Sequence, residues 1–179
     1  MQKIILFTAC SIDGYIARPD GNLDWLTNFP NPDNLDHGYN DLLANTSCII
    51  MGRKTYEEIV GFGIEWPYKG IPTYILTANS EFNCKTPDTL ILSGNLVEKV
   101  HRIRSEQEKN IWLAGGGQVV KYFLQNGLID RMIISVIPII LGEGIPLFPG
   151  KSKETKFKLI ENQLFSTGII NLTFDIVDH

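Results

Sequence analysis

The chain has 179 residues, with a hydrophobic share of 44%, a charged share of 20% and a formal net charge of −4. This length fits one domain over residues 1–179, and the composition is ordinary for a globular protein with a buried core. A net acidic chain lacks the basic surface that nucleic acid requires, so we expect no nucleic-acid partner. We also expect no membrane partner and a cytoplasmic location, because no apolar run is long enough to span a bilayer and no signal-peptide pattern precedes the first strand.

Strand-like and helix-like segments alternate along the chain, which predicts an α/β domain around a largely parallel sheet. Residues 3–10 are almost continuously apolar, as in a strand that is covered on both faces. The long loop that follows, over residues 11–34, is uncommon in a compact domain unless it has a function. Apolar residues at helical spacing then predict a helix over 32–44, with Leu35, Tyr39 and Leu42 on one face.

The remaining pattern predicts a sheet that ends in antiparallel strands. Strands are expected at 48–51, 73–77, 89–93 and 111–114, and helices at 53–60, 96–109 and 118–126. Two late strands, at 131–140 and 169–177, have no convincing helix between them, so we expect them to be antiparallel. These apolar strands would otherwise leave an exposed apolar edge of the sheet. Such an edge favours a homodimer, in which it would be covered.

Two strand-to-helix turns contain glycine, at residues 51–55 (Met-Gly-Arg-Lys-Thr) and 114–118 (Ala-Gly-Gly-Gly-Gln). Free backbone N–H groups and the positive end of the helix dipole favour a phosphate at such a turn. On parallel strands both turns would lie on one sheet edge, where they could hold the two ends of a dinucleotide. A single glycine is often only a turn, whereas three in succession favour close backbone approach. The GxGxxG fingerprint is absent.

The first turn also suggests which dinucleotide binds. Arg53 and Lys54 begin a helix, where cations oppose the dipole, and binding of a phosphomonoester would explain them. The segment Ala78-Asn79-Ser80 after the strand that ends at Thr77 offers no acid for a ribose 2′-hydroxyl. Both features favour NADPH over NADH as the cofactor.

Asp36 is the candidate proton donor, because it lies at the edge of the apolar face of the expected 32–44 helix. Partial burial there would raise its pKa and suit it to proton delivery. The alternative is a solvated acid that is favoured by the helix dipole. Asp13 and Trp25 are candidate substrate-binding residues, with a turn residue and a core tryptophan as their alternatives. The histidines and cysteines show no metal-ligand spacing, so no metal is expected.

Four motifs in their order along the chain resemble the dihydrofolate reductase superfamily. They are Ser-Ile-Asp-Gly-Tyr-Ile-Ala at 11–17, Ile-Met-Gly-Arg-Lys-Thr-Tyr-Glu at 50–57, Leu-Ala-Gly-Gly-Gly at 113–117 and Pro-Ile-Ile-Leu-Gly-Glu-Gly-Ile-Pro-Leu-Phe at 138–148. Within this superfamily the chain is similar to stand-alone bacterial proteins related to the C-terminal reductase domain of the bifunctional riboflavin-biosynthesis deaminase/reductase. The resemblance implies a three-layer α/β/α fold with a mixed, mostly parallel sheet and NADPH as the hydride donor.

The resemblance also implies where the cofactor lies. The expected cofactor contacts are Ala9, Ile16, Ala17, Gly52, Arg53, Lys54, Thr55, Leu76, Thr77, Ala78, Gly115, Gly116, Gly117, Gln118 and Val119. Ala9, Ile16 and Ala17 would lie near the nicotinamide, and the loop from Ser11 to Trp25 would close over it. Two glycines after the later strand are often joined by a cis peptide in this superfamily.

Two departures leave the substrate open. Riboflavin reductases carry an Asp-x-Pro-x-Leu segment after the second turn, whereas residues 61–67 here are Gly-Phe-Gly-Ile-Glu-Trp-Pro. The arginine that holds the glutamate tail of folate in dihydrofolate reductases has no clear counterpart. The resemblance implies a reductase of a pterin-like or pyrimidine-like heterocycle, with 5-amino-6-(5-phosphoribosylamino)uracil reductase in riboflavin biosynthesis as its narrower form. The alternative is an NADP(H)-binding protein without efficient catalysis.

Overall fold

The computed structural model describes residues 2–79, 81–151 and 154–177. The strands are β1 (Ile4–Ser11), β2 (Tyr15–Ala17), β3 (Thr46–Gly52), β4 (Thr73–Leu76), β5 (Thr89–Leu92), β6 (Asn110–Gly115), β7 (Arg131–Ile137), β8 (Ile145–Pro146), β9 (Phe157–Leu164) and β10 (Ile170–Ile176). The helices are α1 (Asp24–Thr27), α2 (Tyr39–Ala44), α3 (Arg53–Gly61), α4 (Leu96–Ser105) and α5 (Gly117–Gln125). No helix in these ranges is long and apolar enough to cross a membrane.

Eight strands form one sheet in the order β5-β4-β3-β6-β1-β7-β10-β9. The six strands from β5 to β7 are parallel, and β10 and β9 continue the sheet as antiparallel strands. Tyr56 of α3 and Leu42 of α2 are buried on one face, while Val100 of α4 and Phe123 of α5 are buried on the other. The predicted three-layer α/β/α arrangement, with a mixed, mostly parallel sheet and antiparallel strands at its end, is confirmed.

The expected helix over 32–44 is wrong in its first half, since α2 begins only at Tyr39. Asn34 and His37 have φ angles of 50° and 51°, and Gly38 has 86°, so the backbone before α2 is not helical. The Asn31 side chain also accepts a hydrogen bond from the Leu35 N–H and donates one to the Leu35 carbonyl, which closes a loop. Local side-chain bonding therefore overrides the apolar spacing.

The expected open edge at the last strand is also wrong, because β10 lies between β7 and β9. β9 was not predicted, and it forms the open edge with Leu159, Ile160 and Leu164 exposed. A bulge between β9 and β10 shifts the register near Ile160, so the sequence of β9 does not alternate cleanly. Dimerisation stays a prediction. The edge strand that a second copy would cover is β9 rather than β10.

The short ribbon of β2 and β8 fastens two loops to each other. We use the term strap for residues 138–149, which follow β7 and include β8. The Ile12 N–H donates to the Ile139 carbonyl, and the Leu147 N–H donates to the Gly14 carbonyl, each at 2.9 Å. On its other side the strap covers the start of α5, where a Cβ on Gly117 would overlap the Pro146 carbonyl oxygen.

Gly117→Ala is expected to lower the free energy of unfolding by about 1–3 kcal/mol, the usual cost of overpacking. The added methyl would overlap the strap and also approach Pro149 Cδ to 3.2 Å, so the strap must shift. Gly61→Ala at the end of α3 is the matched control, because a Cβ there meets no atom of the described residues within 4 Å. Urea unfolding checks both variants, and equal stability of the two would contradict this packing.

Asp175 joins three strands at the edge opposite the two glycine turns. Its carboxylate accepts hydrogen bonds from Arg131 Nε at 2.6 Å and Arg131 Nη2 at 2.9 Å, and from Lys3 Nζ at 3.0 Å. These bonds, chiefly those from Arg131, lower the pKa of Asp175 to about 2. The ionised form therefore stabilises the junction of β1, β7 and β10.

Asp175→Asn is expected to lower the free energy of unfolding by about 1–2 kcal/mol at pH 7, since one pKa unit corresponds to about 1.4 kcal/mol. The folded-state pKa lies below the ordinary value, so this stabilisation is present above about pH 4 and is lost as the pH falls towards 2. Denaturant unfolding from pH 7 to pH 2.5 checks this, with Glu108→Gln as an exposed-carboxylate control. A stability difference that does not shrink in acid would contradict the assignment.

Candidate functional site

The two glycine turns touch each other at one edge of the sheet. β3 and β6 are parallel neighbours, and Met51 pairs with Gly115. A Cβ on Gly52 would lie 2.9 Å from Val119 Cγ2, and one on Gly116 would lie 3.3 Å from Thr55 Oγ1. The expectation that both turns lie on the same edge is therefore confirmed, and α3 and α5 begin side by side.

The starts of α3 and α5 differ from those of the other helices. Neither has a side-chain cap or an acidic residue in its first turn. The other helices described in residues 2–79, 81–151 and 154–177 all carry an acid there, namely Asp24, Asp41 and Glu98. The first N–H groups of α3 and α5 thus have no intrahelical acceptor, and no carboxylate lies in the first turn of either helix. The Gly115–Gly116 peptide is cis, as the resemblance implies.

Arg53 is held in place at the start of α3. Its Nη1 donates to Glu57 Oε1 at 2.7 Å, and its guanidinium carbon lies 5.9 Å from the ring centroid of Phe82. The side chain is 39% exposed, and within the described part of the chain one of its five N–H donors is bonded, to Glu57. Lys54 beside it is exposed. The start of α3 therefore carries one oriented cation and one solvated cation.

The end of β4 forms the next part of the same edge. The Thr77 N–H donates to the Leu92 carbonyl at 3.4 Å, and Thr77 Oγ1 accepts from the Asn79 N–H at 3.1 Å. Leu76 is partly buried, while Ala78 is exposed. No carboxylate follows β4 up to Asn79, and Ser80, which completes the expected neutral segment, lies outside the described residues.

The third part of the edge follows β1. Ala9 is partly buried and packs beside the cluster that contains Ile137 and Ile169. Ile16 reaches across towards α5, since a Cβ on Gly116 would lie 3.8 Å from Ile16 Cδ1. Ala17 is buried. The expected cofactor contacts at the ends of β1, β3, β4 and β6 thus lie along four adjacent parallel strands. Gln118, the last residue of the second turn, is exposed.

Asp36 does not have the surroundings that the sequence predicted. It precedes α2, it is exposed, and its carboxylate accepts hydrogen bonds from the Asn40 N–H at 2.9 Å and the Gly38 N–H at 3.2 Å. These backbone bonds lower its pKa below the ordinary value, the opposite of the rise that partial burial would cause. The predicted half-burial is wrong, and the role of Asp36 as a proton donor stays a prediction without that support.

Asp13 and Trp25 lie close to the β1 end. Asp13 is exposed, and its carboxylate accepts from Ser11 Oγ at 2.6 Å and from the Gly142 N–H at 2.7 Å, so it ties the loop after β1 to the strap. Trp25 is 5% exposed and packs in the cluster beside Ala9. Its Nε1 is buried and has no hydrogen-bond partner among the described residues. The loop expected to close over the nicotinamide is therefore fastened to the strap from Ser11 to Ala17.

Two cavities lie away from the glycine turns. One, of about 380 Å³, lies between α2 and the β7–β10–β9 half of the sheet, with Phe7, Arg131 and Asn171 in its wall. The other, of about 460 Å³, lies between the loop that leads into α1 and the outer side of α3. Neither includes a residue of the two turns, so neither is the groove that the turns form.

Glu57 and Phe82, which orient Arg53, were missed from the sequence. The i,i+4 spacing of Arg53 and Glu57 was a usable signal for the ion pair. Phe82 carried no such signal, because it lies 29 residues away along the chain and meets Arg53 only through the fold.

Comparisons with known proteins place this geometry in a family. The family model described as the RibD C-terminal domain matches residues 64–171. Uncharacterized protein YwjB of Bacillus subtilis (strain 168) is 36% identical over 168 residues, which are 94% of this chain and 95% of that protein.

Solved structures extend the likeness over the whole chain. A crystal structure from Shewanella sp. PV-4, provisionally assigned to riboflavin biosynthesis, is 31% identical with a TM-score of 0.89, over 99% of this chain and 100% of that one. Dihydrofolate reductase from Enterococcus faecalis shares the fold at 19% identity and a TM-score of 0.66, over 98% of this chain and 97% of that one. The chain therefore has the dihydrofolate reductase fold and belongs to the RibD C-terminal domain family.

Proposed function

We propose that this protein is an NADPH-dependent reductase of a small heterocycle. The observation that carries the proposal is the contact between the starts of α3 and α5, which present backbone N–H groups without caps or acids. A cofactor with two linked phosphates fits there, because a helix start favours an anion. Support comes from the shared fold, since the E. faecalis dihydrofolate reductase was solved in complex with NADP(H).

In this proposal the glycines of the second turn bind the pyrophosphate. Gly116 has no side chain that would separate a phosphate from the N–H groups at the start of α5, whereas the side-chain position of Gly117 is occupied by the strap. Thr55 Oγ1 lies beside Gly116 and can donate a further hydrogen bond. These groups bind the cofactor through its charge and do not distinguish NADPH from NADH.

Arg53 and Lys54 are the residues that would distinguish NADPH from NADH. The 2′-phosphate is absent from NADH, and a guanidinium binds a phosphomonoester through two parallel hydrogen bonds. Glu57 and Phe82 fix the Arg53 side chain before the ligand arrives, which reduces the entropy lost on binding. The neutral residues from Thr77 to Asn79 place no carboxylate near that phosphate.

The bound cofactor would supply a hydride for a substrate that lies against its nicotinamide. Ala9 and Trp25, which pack together, and Ile16, which lies near Gly116, would form that end of the groove and exclude water from it. The membership of the family and the provisional assignment of the Shewanella protein support a pyrimidine of riboflavin biosynthesis as one substrate. The unmatched segment 61–67 argues for a different heterocycle.

Arg53→Ala is expected to raise the Kd of NADPH by about 10- to 100-fold, because a hydrogen bond to a charged group contributes about 1.5–3 kcal/mol. The Kd of NADH should change by less than about threefold, since NADH has no 2′-phosphate for Arg53 to bind. Isothermal titration calorimetry with both cofactors measures the two changes. Arg102→Ala, an exposed arginine on α4, is the control for lost positive charge.

Equal losses for the two cofactors in Arg53→Ala would contradict the role of this residue. Catalysis is tested separately by following NADPH absorbance with pterin, pyrimidine and carbonyl compounds. Tight NADPH binding without oxidation above background would favour the alternative, a cofactor-binding protein without efficient catalysis.

A further inference from the structure

The chain between β4 and β5 crosses the sheet without a helix of the usual kind. β4 and β5 are parallel neighbours, so the chain must return from the edge of the glycine turns to the opposite edge before β5 begins. We call residues 81–88 the return segment, and they form neither helix nor strand. Because the segment has no regular structure of its own, its contacts with the rest of the fold must set its position.

The Tyr56 hydroxyl ties the return segment to α3. Its oxygen accepts hydrogen bonds from the Lys85 N–H at 2.8 Å and from Thr86 Oγ1 at 3.1 Å. Tyr56 is 3% exposed, and its ring packs in the cluster that contains Met51 and Trp112. A close-packed core holds such a ring in one orientation. The hydroxyl is therefore a fixed acceptor that positions two successive residues of the segment.

Phe82 connects the return segment to the Arg53 side chain. The rings of Phe82 and Tyr56 meet edge to face, with their centroids 5.9 Å apart and their planes at 90°. The guanidinium carbon of Arg53 lies 5.9 Å from the Phe82 centroid, within the range of a cation–π attraction. Phe82 thus contacts both the residue that ties the segment and the residue proposed to bind the 2′-phosphate.

Arg53 is thereby held by two elements of the fold. Glu57 belongs to α3 itself and accepts from Arg53 Nη1 at 2.7 Å, whereas Phe82 comes from the return segment. An exposed ion pair at i,i+4 spacing is weak, so Glu57 alone would leave Arg53 free to adopt other rotamers. The Phe82 ring restricts the guanidinium further, and a cation–π contact uses none of the N–H donors that a phosphate needs.

We infer that the Tyr56 hydroxyl is a positioning group for the 2′-phosphate of NADPH, and that it acts on Arg53 through the return segment and Phe82. The inference rests on the proposed function, in which Arg53 binds that phosphate. Without the hydroxyl, Lys85 and Thr86 lose their common acceptor, and Phe82 is no longer held against the guanidinium. The affinity for NADPH would then fall, while the affinity for NADH would not.

Tyr56→Phe tests this, because it removes the hydroxyl and retains the buried ring. We expect the Kd of NADPH to rise about three- to tenfold, as for the loss of one hydrogen bond, and the Kd of NADH to change less than about twofold. The probes 2′,5′-ADP and 5′-AMP should show the same contrast, since they differ in the 2′-phosphate and lack the nicotinamide. Calorimetry on the full chain measures all four Kd values.

Tyr74→Phe is the matched control, since it removes a hydroxyl from β4 on the opposite face of the sheet, where Tyr74 packs beside the cluster that contains Phe123. It should leave all four Kd values unchanged. Phe82→Leu is a second variant that keeps an apolar side chain, and it should weaken NADPH selectively as well. Thermal unfolding checks that each variant is folded. If Tyr56→Phe does not fold, Phe82→Leu decides by the same criteria.

A double-mutant cycle separates positioning from a merely structural role. In an Arg53→Ala background, Tyr56→Phe should cause no further loss of NADPH affinity, because the side chain that it positions is gone. A hydroxyl that only stabilised the fold would weaken both cofactors, and its effect would persist in the Arg53→Ala background.

Equal losses for NADPH and NADH in folded Tyr56→Phe, an unchanged NADPH affinity, or the same loss with and without Arg53 would overturn the inference. A wild-type protein that binds NADPH no more tightly than NADH contradicts the proposed role of Arg53 and the inference together. A preference for NADPH that Arg53→Ala removes and Tyr56→Phe leaves intact contradicts the positioning role alone.

Discussion

The site depends on the close contact between the β3–α3 turn and the β6–α5 turn. Gly52 lies against Val119, and Gly116 lies against Thr55, so each turn fills space that a side chain on the other would occupy. Two helix starts without acids are thereby brought together, and their backbone N–H groups form one positive region. The parallel pairing of β3 and β6 fixes this contact, and the buried strands beneath it keep it rigid.

The strap supports this contact from the side of α5. The Pro146 carbonyl lies where a side chain of Gly117 would be, and Leu147 is 2% exposed in the core. The loop after β1 is fastened to the strap through Asp13 and through backbone bonds. The late Leu-Gly-x-Gly motif therefore has a structural role: Gly144, with a φ of 159°, allows the strap to pass close to the Ala17 carbonyl.

Much of this arrangement could be predicted from the sequence. Local patterns with a clear physical cause indicate the glycine turns and the parallel sheet. They also indicate the cations at the start of a helix, Arg53 and Lys54. The start of α2 could not be predicted, because the side-chain bonds of Asn31 and the positive φ angles that precede α2 override the apolar spacing. β9 was missed because a bulge and exposure on both faces remove the alternation that marks a strand.

The contacts of individual side chains were the hardest to predict from the sequence, because they join residues that only the fold brings together. Phe82 contacts Arg53 across 29 residues of the chain, so no sequence spacing indicates this contact. The most direct test of the central claim is amide hydrogen exchange of the wild-type protein with and without NADPH. Binding across the two turns predicts that residues 53–55 and 116–119 are protected together and to a greater degree than by NADH. Protection of only one turn, or of the cavity around Arg131 and Asn171 instead, would contradict the account.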